Sequence, residues 1–134
     1  MAAIKHRLHG GCVACGENNP AGLRLKFEKQ PDGSVKAAAF CAKALAGYDG
    51  LLHGGVAALM LDTAMANCLF SAGVTALTAE ITVKYKATVN IGRAVTLTAR
   101  LKTDHDPLFI VSSELLQDGL EKVSAEAKFM RTVG

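Results

Sequence analysis

The segment GGVAALMLDTAMANCLFS, residues 54–71, is the most informative part of the chain for its architecture. Twelve of its 18 residues are apolar, none is Pro, and good helix formers fill most interior positions. The apolar residues lie all round the predicted helix rather than along one stripe. Such a helix is buried on most sides, so we expect it at the centre of the protein. Gly73 follows at the position of a left-handed C-terminal cap.

Alternation of apolar and polar residues predicts strands on both sides of this helix. Before it, residues 23–28 and 35–40 form a hairpin around the turn residues 31–34. After it, strands are predicted at residues 79–86, 95–102, 108–116 and 123–130. Their short connections favour antiparallel neighbours. The order ββαββββ predicts an α+β domain with one central helix and a strongly curved antiparallel sheet.

Length and composition exclude several classes of protein. The 134 residues fit one domain, residues 1–134, with residues 1–10 as a flexible arm. The longest apolar runs have six residues, against roughly 20 for a membrane span, so we expect no membrane partner. No signal-like segment precedes the first charges, which favours a cytoplasmic protein. The net charge of +3, without a basic cluster among aromatics, argues against nucleic acid.

Asp62 is the one charged residue of the predicted helix. A buried carboxylate without a partner costs several kcal/mol, so Asp62 must be paired, be protonated or face a cleft. The structural alternative is a pairing through Thr63, Asn67 or a neighbouring strand. The functional interpretation is a reactive carboxylate.

The helix begins with His53-Gly54-Gly55, where backbone N–H groups are unpaired and the helix dipole is positive. Such an end can polarise a carbonyl group, although a tight loop-to-helix turn would use the same residues. Gly54 and Asp62 are eight residues apart, about 12 Å along a helix, whereas groups acting on one centre lie within about 3.5 Å. If both act, two antiparallel copies of the helix must face each other. The spacing therefore predicts a homodimer with composite sites, and leaves open a homotetramer built from two dimers.

Several motifs together resemble the hotdog-fold acyl-CoA thioesterases, and most closely the branch that includes phenylacetyl-CoA thioesterases. They are residues 53–56 and 61–64 of the helix, and residues 78–85 and 89–95 of the strands. Residues 12–16 and 19–23 also resemble the entry segment of one subgroup. The resemblance covers residues 12–131. It implies a curved antiparallel sheet around one long helix, in agreement with the order of elements above.

The resemblance also implies roles for residues. Asp62 corresponds to the carboxylate that attacks the thioester or activates water, and Gly54 to the amide that polarises the thioester carbonyl. His53 contacts substrate or supports its loop, and Thr78 matches a hydroxyl that orients the water or the carboxylate. Many related enzymes carry Asn or Gln seven residues before the helix glycine. Gly47 occupies that position here, which puts a side-chain donor to the carbonyl in doubt.

The expected substrate is a small or aromatic acyl-CoA, hydrolysed to free acid and coenzyme A without a metal or an organic cofactor. Gly55 is expected beside the substrate, and Lys84, Lys86 and Arg93 are candidates for the phosphates of coenzyme A. Each basic residue could equally be a solvated charge on a strand face. Apolar helix residues such as Leu59, Met60, Met65 and Phe70 or their neighbours would form the acyl pocket. The alternative function is a non-catalytic module that binds acyl-CoA or a small ligand.

The pair Cys12-x-x-Cys15, three residues after His9, also matches zinc-ligand spacing. A second Cys or His pair is missing, although Cys41 or His6 could complete a site. A redox dithiol is disfavoured because no parallel βαβ unit surrounds the pair. We therefore expect thiols without metal, and retain a zinc-stabilised interaction protein as a third hypothesis.

Overall fold

A computed structural model describes residues 8–131 of the chain. A single long helix, α1, spans Gly54–Ser71, and a 3-10 helix spans Lys43–Leu45. The strands are β1 (Glu28–Lys29), β2 (Val35–Phe40), β3 (Ala76–Tyr85), β4 (Ala94–His105), β5 (Leu108–Gln117) and β6 (Leu120–Arg131). The predicted order ββαββββ is confirmed.

The six strands form one sheet in the order β1-β2-β4-β5-β6-β3, and every neighbouring pair is antiparallel. Helix α1 packs against β2 to β6, so the predicted α+β architecture, a sheet wrapped around one helix, is confirmed. Asp118 and Gly119 connect β5 to β6 with φ angles of 54° and 77°. Two consecutive residues in the left-handed region make the tight hairpin turn that an Asp-Gly pair favours.

Helix α1 is the core element that its composition predicted. It is long and apolar enough to cross a membrane by length and composition, and 56% of it is buried inside the protein. Four of its apolar side chains are at most 1% exposed and pack against apolar side chains of the sheet: Met60, Leu61, Met65 and Leu69. The helix ends at Ser71, and Gly73 follows with φ 78°, as predicted for a left-handed cap.

The strand predicted at residues 23–28 is wrong in its extent, because β1 contains Glu28 and Lys29 alone. Arg24 has a φ of 53°, which interrupts extended pairing. The N–H groups of Leu23 and Leu25 instead bond to the carbonyls of residues 13 and 14. Leu25 and Phe27 are nevertheless buried, so the alternation identified the core side chains but not their backbone partner.

Within the described part of the chain, β3 is an edge strand that pairs with β6 alone. Its apolar residues are poorly covered: Leu77 is 65% exposed, Ile81 37% and Tyr85 56%. A bulge interrupts the pairing with β6 between Thr78 and Glu80. A long exposed edge strand with apolar side chains is a template for pairing with another chain.

Candidate active site

Asp62 and Thr78 are in direct contact. The Thr78 hydroxyl donates to Oδ1 of Asp62 over 2.7 Å, which joins the middle of α1 to the start of β3. The carboxylate is half-buried and thus keeps access to solvent. Of the partners considered from sequence, the neighbouring strand is the one observed. Thr63 is buried, and the Asn67 amide donates to the Thr63 carbonyl at 2.9 Å rather than to Asp62.

The start of α1 is organised by His53, its N-cap residue. The Nδ1 atom of His53 accepts the N–H of Gly55 at 2.8 Å. The proton of the neutral imidazole therefore resides on Nε2, which is left as a donor. Within residues 8–131 no acceptor contacts the N–H of Gly54. The Gly54 amide is thus available to a ligand, whereas the amide of Gly55, a residue predicted beside the substrate, donates to His53.

Tyr85 holds the same end of the helix, a role that was not predicted from the sequence. Its hydroxyl donates to the carbonyl oxygen of Gly54 over 2.7 Å. In the sequence, Tyr85 is one apolar member of an alternating strand. Its hydroxyl could have indicated a structural contact, since a hydroxyl on an otherwise apolar face needs a hydrogen-bond partner.

A cleft of about 320 Å³ opens beside Gly54. Apolar and aromatic side chains make up most of its wall, including Tyr48, Leu52 and Tyr85, and Lys86 contributes a charge. Among the residues named as candidates for the acyl pocket, Met60, Met65 and Phe70 are buried in the core, and Leu59 is half-buried on α1. A mostly apolar cleft with a free amide at its wall suits a ligand that has an apolar group and a carbonyl.

Gly54 and Asp62 lie on one continuous helix. Their eight-residue separation corresponds to about 12 Å of helix rise, so one copy of α1 cannot present both groups to the same atom. One side of α1 is partly open to solvent. It begins with the exposed Gly55 and includes the half-exposed residues Leu59, Asp62 and Ala66. Contacts from Tyr85 and Thr78 place this side of α1 next to the edge strand β3.

The three basic residues predicted to bind substrate have different surroundings. Lys86 is paired with Glu121 and also lines the cleft beside Gly54. Arg93 forms a 2.8 Å ion pair with Asp118. Lys84 is exposed on β3 and interacts electrostatically with Glu126. Lys86 is therefore the one of the three that the structure brings near the start of α1.

Gly47 packs directly against His53. A Cβ atom at residue 47 would lie 3.1 Å from the Cα atom and 3.3 Å from the Cδ2 atom of His53. The Gly47 N–H donates to the carbonyl of Leu51, and the His53 N–H donates to that of Leu45. A larger residue at position 47 would therefore displace His53 or the loop that holds it.

The structure brings His9 to the cysteine pair. The side-chain ligand atoms of His9, Cys12 and Cys15 lie within 4.8 Å of one another. Cys41 is not part of this group, and His6 and residues 1–7 of the predicted arm lie outside the described residues. Burial raises the pKa of the Cys12 thiol, but backbone N–H donors led by Cys15 outweigh it and leave that pKa lowered.

Comparison with known proteins identifies similar sequences and folds. Residues 49–103 match the family model described as the thioesterase superfamily. No curated protein matches the chain. A solved thioesterase superfamily protein is 27% identical, with a TM-score of 0.81, over 86% of this chain and 60% of the other. This chain therefore spans 60% of that protein's length.

Two further solved structures share the fold at lower identity. A phenylacetic acid degradation-related thioesterase from Ralstonia eutropha is 23% identical, with a TM-score of 0.74, over 81% of this chain and 85% of the other. A hypothetical thioesterase from Streptococcus pneumoniae, solved with coenzyme A, is 18% identical, with a TM-score of 0.75 and the same two coverages. Its aspartate-to-alanine and threonine-to-alanine variants have also been solved.

Proposed function

We propose that this chain, which has the predicted hotdog fold and matches the thioesterase superfamily model over residues 49–103, hydrolyses an acyl-CoA thioester to a free acid and coenzyme A. One observation carries the proposal. A half-buried carboxylate, Asp62, is oriented by the Thr78 hydroxyl at 2.7 Å, on the same helix whose first amide, Gly54, is left for a ligand.

The chemistry follows from these groups. The Gly54 N–H, at the positive end of α1, donates to the thioester oxygen and stabilises the negative charge that develops there. Asp62 either removes a proton from the attacking water or attacks the carbonyl carbon itself. In both routes the bond between carbon and sulfur breaks, and the thiolate of coenzyme A leaves and takes up a proton. When water attacks, the free acid forms directly; when Asp62 attacks, the mixed anhydride that results is hydrolysed by water, which releases the free acid and restores Asp62. Thr78 fixes one carboxylate oxygen and leaves the other for this step.

The active unit is proposed to be a homodimer. Gly54 of one subunit and Asp62 of the partner subunit would meet in each site, because about 12 Å of helix separates them within one chain. The exposed apolar residues of β3 support an association at this edge, which runs beside the half-exposed side of α1. Pairing of two such edges would bring two copies of α1 close together.

The proposed substrates are small or aromatic acyl-CoA thioesters. The cleft beside Gly54 has apolar and aromatic walls, which suit an acyl group or the pantetheine arm, and Lys86 at its wall suits a phosphate. Likeness to a phenylacetic acid degradation-related protein and to a coenzyme A complex supports this class. The substituted aspartate and threonine of the Streptococcus pneumoniae protein are 16 positions apart, the spacing of Asp62 and Thr78.

A panel of acyl-CoA thioesters, with released thiol as the readout, tests the proposal. Turnover of a small or aromatic member is expected, and Asp62→Asn should lower kcat by orders of magnitude while the fold is retained. Asp104→Asn, which changes an exposed carboxylate on β4, is the matched control and should keep full activity. Full activity of Asp62→Asn would remove that carboxylate from the mechanism.

The same panel distinguishes the second candidate, a non-catalytic module that binds acyl-CoA. The observation that favours it is Gly47, which offers no side-chain donor to the thioester carbonyl and has no room for one beside His53. Saturable binding of acyl-CoA without thiol release, across the whole panel, would favour the module over the enzyme.

A further inference from the structure

We propose that His9, Cys12 and Cys15 bind one structural Zn²⁺ ion, contrary to our expectation from sequence of metal-free thiols. Their three ligand atoms lie within 4.8 Å of one another; His9 is in a helical turn, and Cys12 and Cys15 lie in the loop and turn that follow it. Two sulfurs and one imidazole nitrogen are the donors that Zn²⁺ prefers, and they are poor ligands for Mg²⁺ or Ca²⁺.

The separation of the donors fits a zinc ion. Cys15 Sγ and His9 Nδ1 are 3.6 Å apart. In a tetrahedral site with usual Zn–S and Zn–N bond lengths, a sulfur and a nitrogen are separated by about 3.6 Å. The contact between thiol and imidazole therefore has the edge length of a zinc site. On binding, Zn²⁺ would displace the proton of the Cys15 thiol, because a cysteine binds zinc as its thiolate.

Hydrogen bonds from the backbone also suit Cys12 to the role of a metal ligand. Its Sγ atom accepts the N–H groups of Ala14 and Cys15, both at 3.4 Å. Hydrogen bonds of this kind orient a thiolate ligand and offset part of its charge. Cys15 is 2% exposed, and His9 and Cys12 are half-buried, so the group is largely shielded from bulk water.

The segment is also folded tightly enough to hold the three groups. A Cβ atom on Gly16 would lie 2.4 Å from the nitrogen of Cys12 and 2.5 Å from the carbonyl oxygen of Gly10, so no larger residue fits. The Gly16 N–H donates to the Cys12 carbonyl at 2.9 Å, and the Cys12 N–H to that of His9 at 3.1 Å. These turns bring residues 9, 12 and 15 onto one side.

The proposed ion would fasten this segment to the core. The His9 ring packs edge-on against Phe70, near the C-terminal end of α1, with 4.8 Å between ring centroids. Residues 13 and 14 accept hydrogen bonds from Leu23 and Leu25, just ahead of β1. The site thus lies where three parts of the chain meet, at the end of α1 away from Gly54. Three protein ligands leave the fourth position of a tetrahedral site to water.

Metal analysis of the full chain, purified without chelator, loaded with zinc and then dialysed against zinc-free buffer, tests the proposal. We expect about one Zn²⁺ per chain. Cys12→Ser and His9→Phe should lose it, the latter while keeping an aromatic ring against Phe70. Cys41→Ala, which alters a buried thiol outside the group, and Asp62→Asn should keep it. The last variant separates this proposal from the proposed function.

A second measurement needs no variant. Co²⁺ added to the metal-free chain should produce a charge-transfer absorption typical of thiolate ligands, which stoichiometric Zn²⁺ abolishes. Chelation should lower the Tm of the zinc-loaded chain. The proposal is overturned if the wild-type chain retains no zinc after dialysis, if Cys12→Ser retains as much as wild type, or if Cys12 and Cys15 form a disulfide in a metal-free, fully folded chain.

Discussion

Thr78 Oγ1 lies 2.7 Å from Asp62 Oδ1, so the edge strand β3 fixes the position of a carboxylate on the central helix. The contact depends on the bulge between Thr78 and Glu80. Strict alternation along β3 would place Thr78 and Tyr85 on opposite faces, yet both contact α1. The extra residue of a bulge reverses the face of the residues that follow it.

The first prediction concerns this hydroxyl. Thr78→Val keeps the branched shape but removes the donor, so the Asp62 carboxylate loses its fixed orientation. We expect kcat to fall about 10- to 100-fold with little change in KM, and Thr78→Ser to restore most of it. Thr82→Val, on the same exposed strand, is the control for strand packing. Unchanged kcat in Thr78→Val would assign the hydroxyl a structural role.

The second prediction isolates the Gly54 amide. Gly54 is the first helical residue after the cap His53, whose φ and ψ of −61° and 132° are compatible with a following proline. Gly54→Pro therefore removes the N–H while α1 can still form. We expect kcat to fall about 100-fold or more, as when one donor to an oxyanion is lost.

Gly54→Ala is the matched control because it keeps the N–H. Its added Cβ would lie 3.4 Å from the Tyr85 ring, an ordinary contact. Thioester kinetics of the two variants distinguish the loss of the N–H donor from the steric effect of the added atoms. Circular dichroism confirms that the helix is retained in both. Equal activity of Gly54→Pro and wild type would argue against an amide role.

The third prediction tests the composite site. When Gly54→Pro and Asp62→Asn chains are co-expressed, a mixed dimer regains one site that combines an intact Gly54 with an intact Asp62 of the other subunit. Random mixing makes half of the dimers mixed, with one of two sites intact, so about one quarter of wild-type activity is expected. Sites contained within one subunit would give no recovery beyond that of the separate variants.

The fourth prediction addresses the association through β3. Ile81 is 37% exposed on this edge strand, and a buried charge there would oppose pairing with a second copy. Ile81→Glu should shift the mass in light scattering from dimer to monomer and abolish most thioesterase activity. Leu120→Glu, which changes a 61% exposed leucine at the start of β6, should leave the mass unchanged. A wild-type chain that is monomeric and fully active would contradict the dimer.

The fifth prediction concerns Tyr85, whose hydroxyl bonds to the Gly54 carbonyl. Tyr85→Phe removes that bond and should lower the free energy of unfolding by about 1 kcal/mol or less, because the residue is 56% exposed. The helix start would be less firmly held, so kcat should fall with it. Tyr48→Phe, at an 86% exposed tyrosine, should not change stability. Denaturant unfolding and thioester kinetics measure both effects.

The local sequence was sufficient for much of the fold. The helix at Gly54–Ser71, its glycine cap, the order of elements along the chain and the turn at Asp118 agree with the structure, whereas β3 pairs with β6 and not with β4, which follows it along the chain. Each depends on periodicity or turn chemistry within a few residues, which the sequence records directly. Asp62 was identified for the same reason, since a charge inside an apolar helix needs an explanation wherever the helix packs.

The tertiary structure decided what depends on distant partners. Residues 23–27 alternate like a strand, but their backbone bonds to residues 13 and 14 and Arg24 turns the chain, so β1 is short. The bulge that aims Thr78 at Asp62 is set by pairing with β6. The approach of His9 to Cys12 and Cys15 is set by turns closing around Gly16 and packing against Phe70. Periodicity indicates which side chains are buried in the core. Long-range hydrogen bonds and close packing determine which of these groups contact one another.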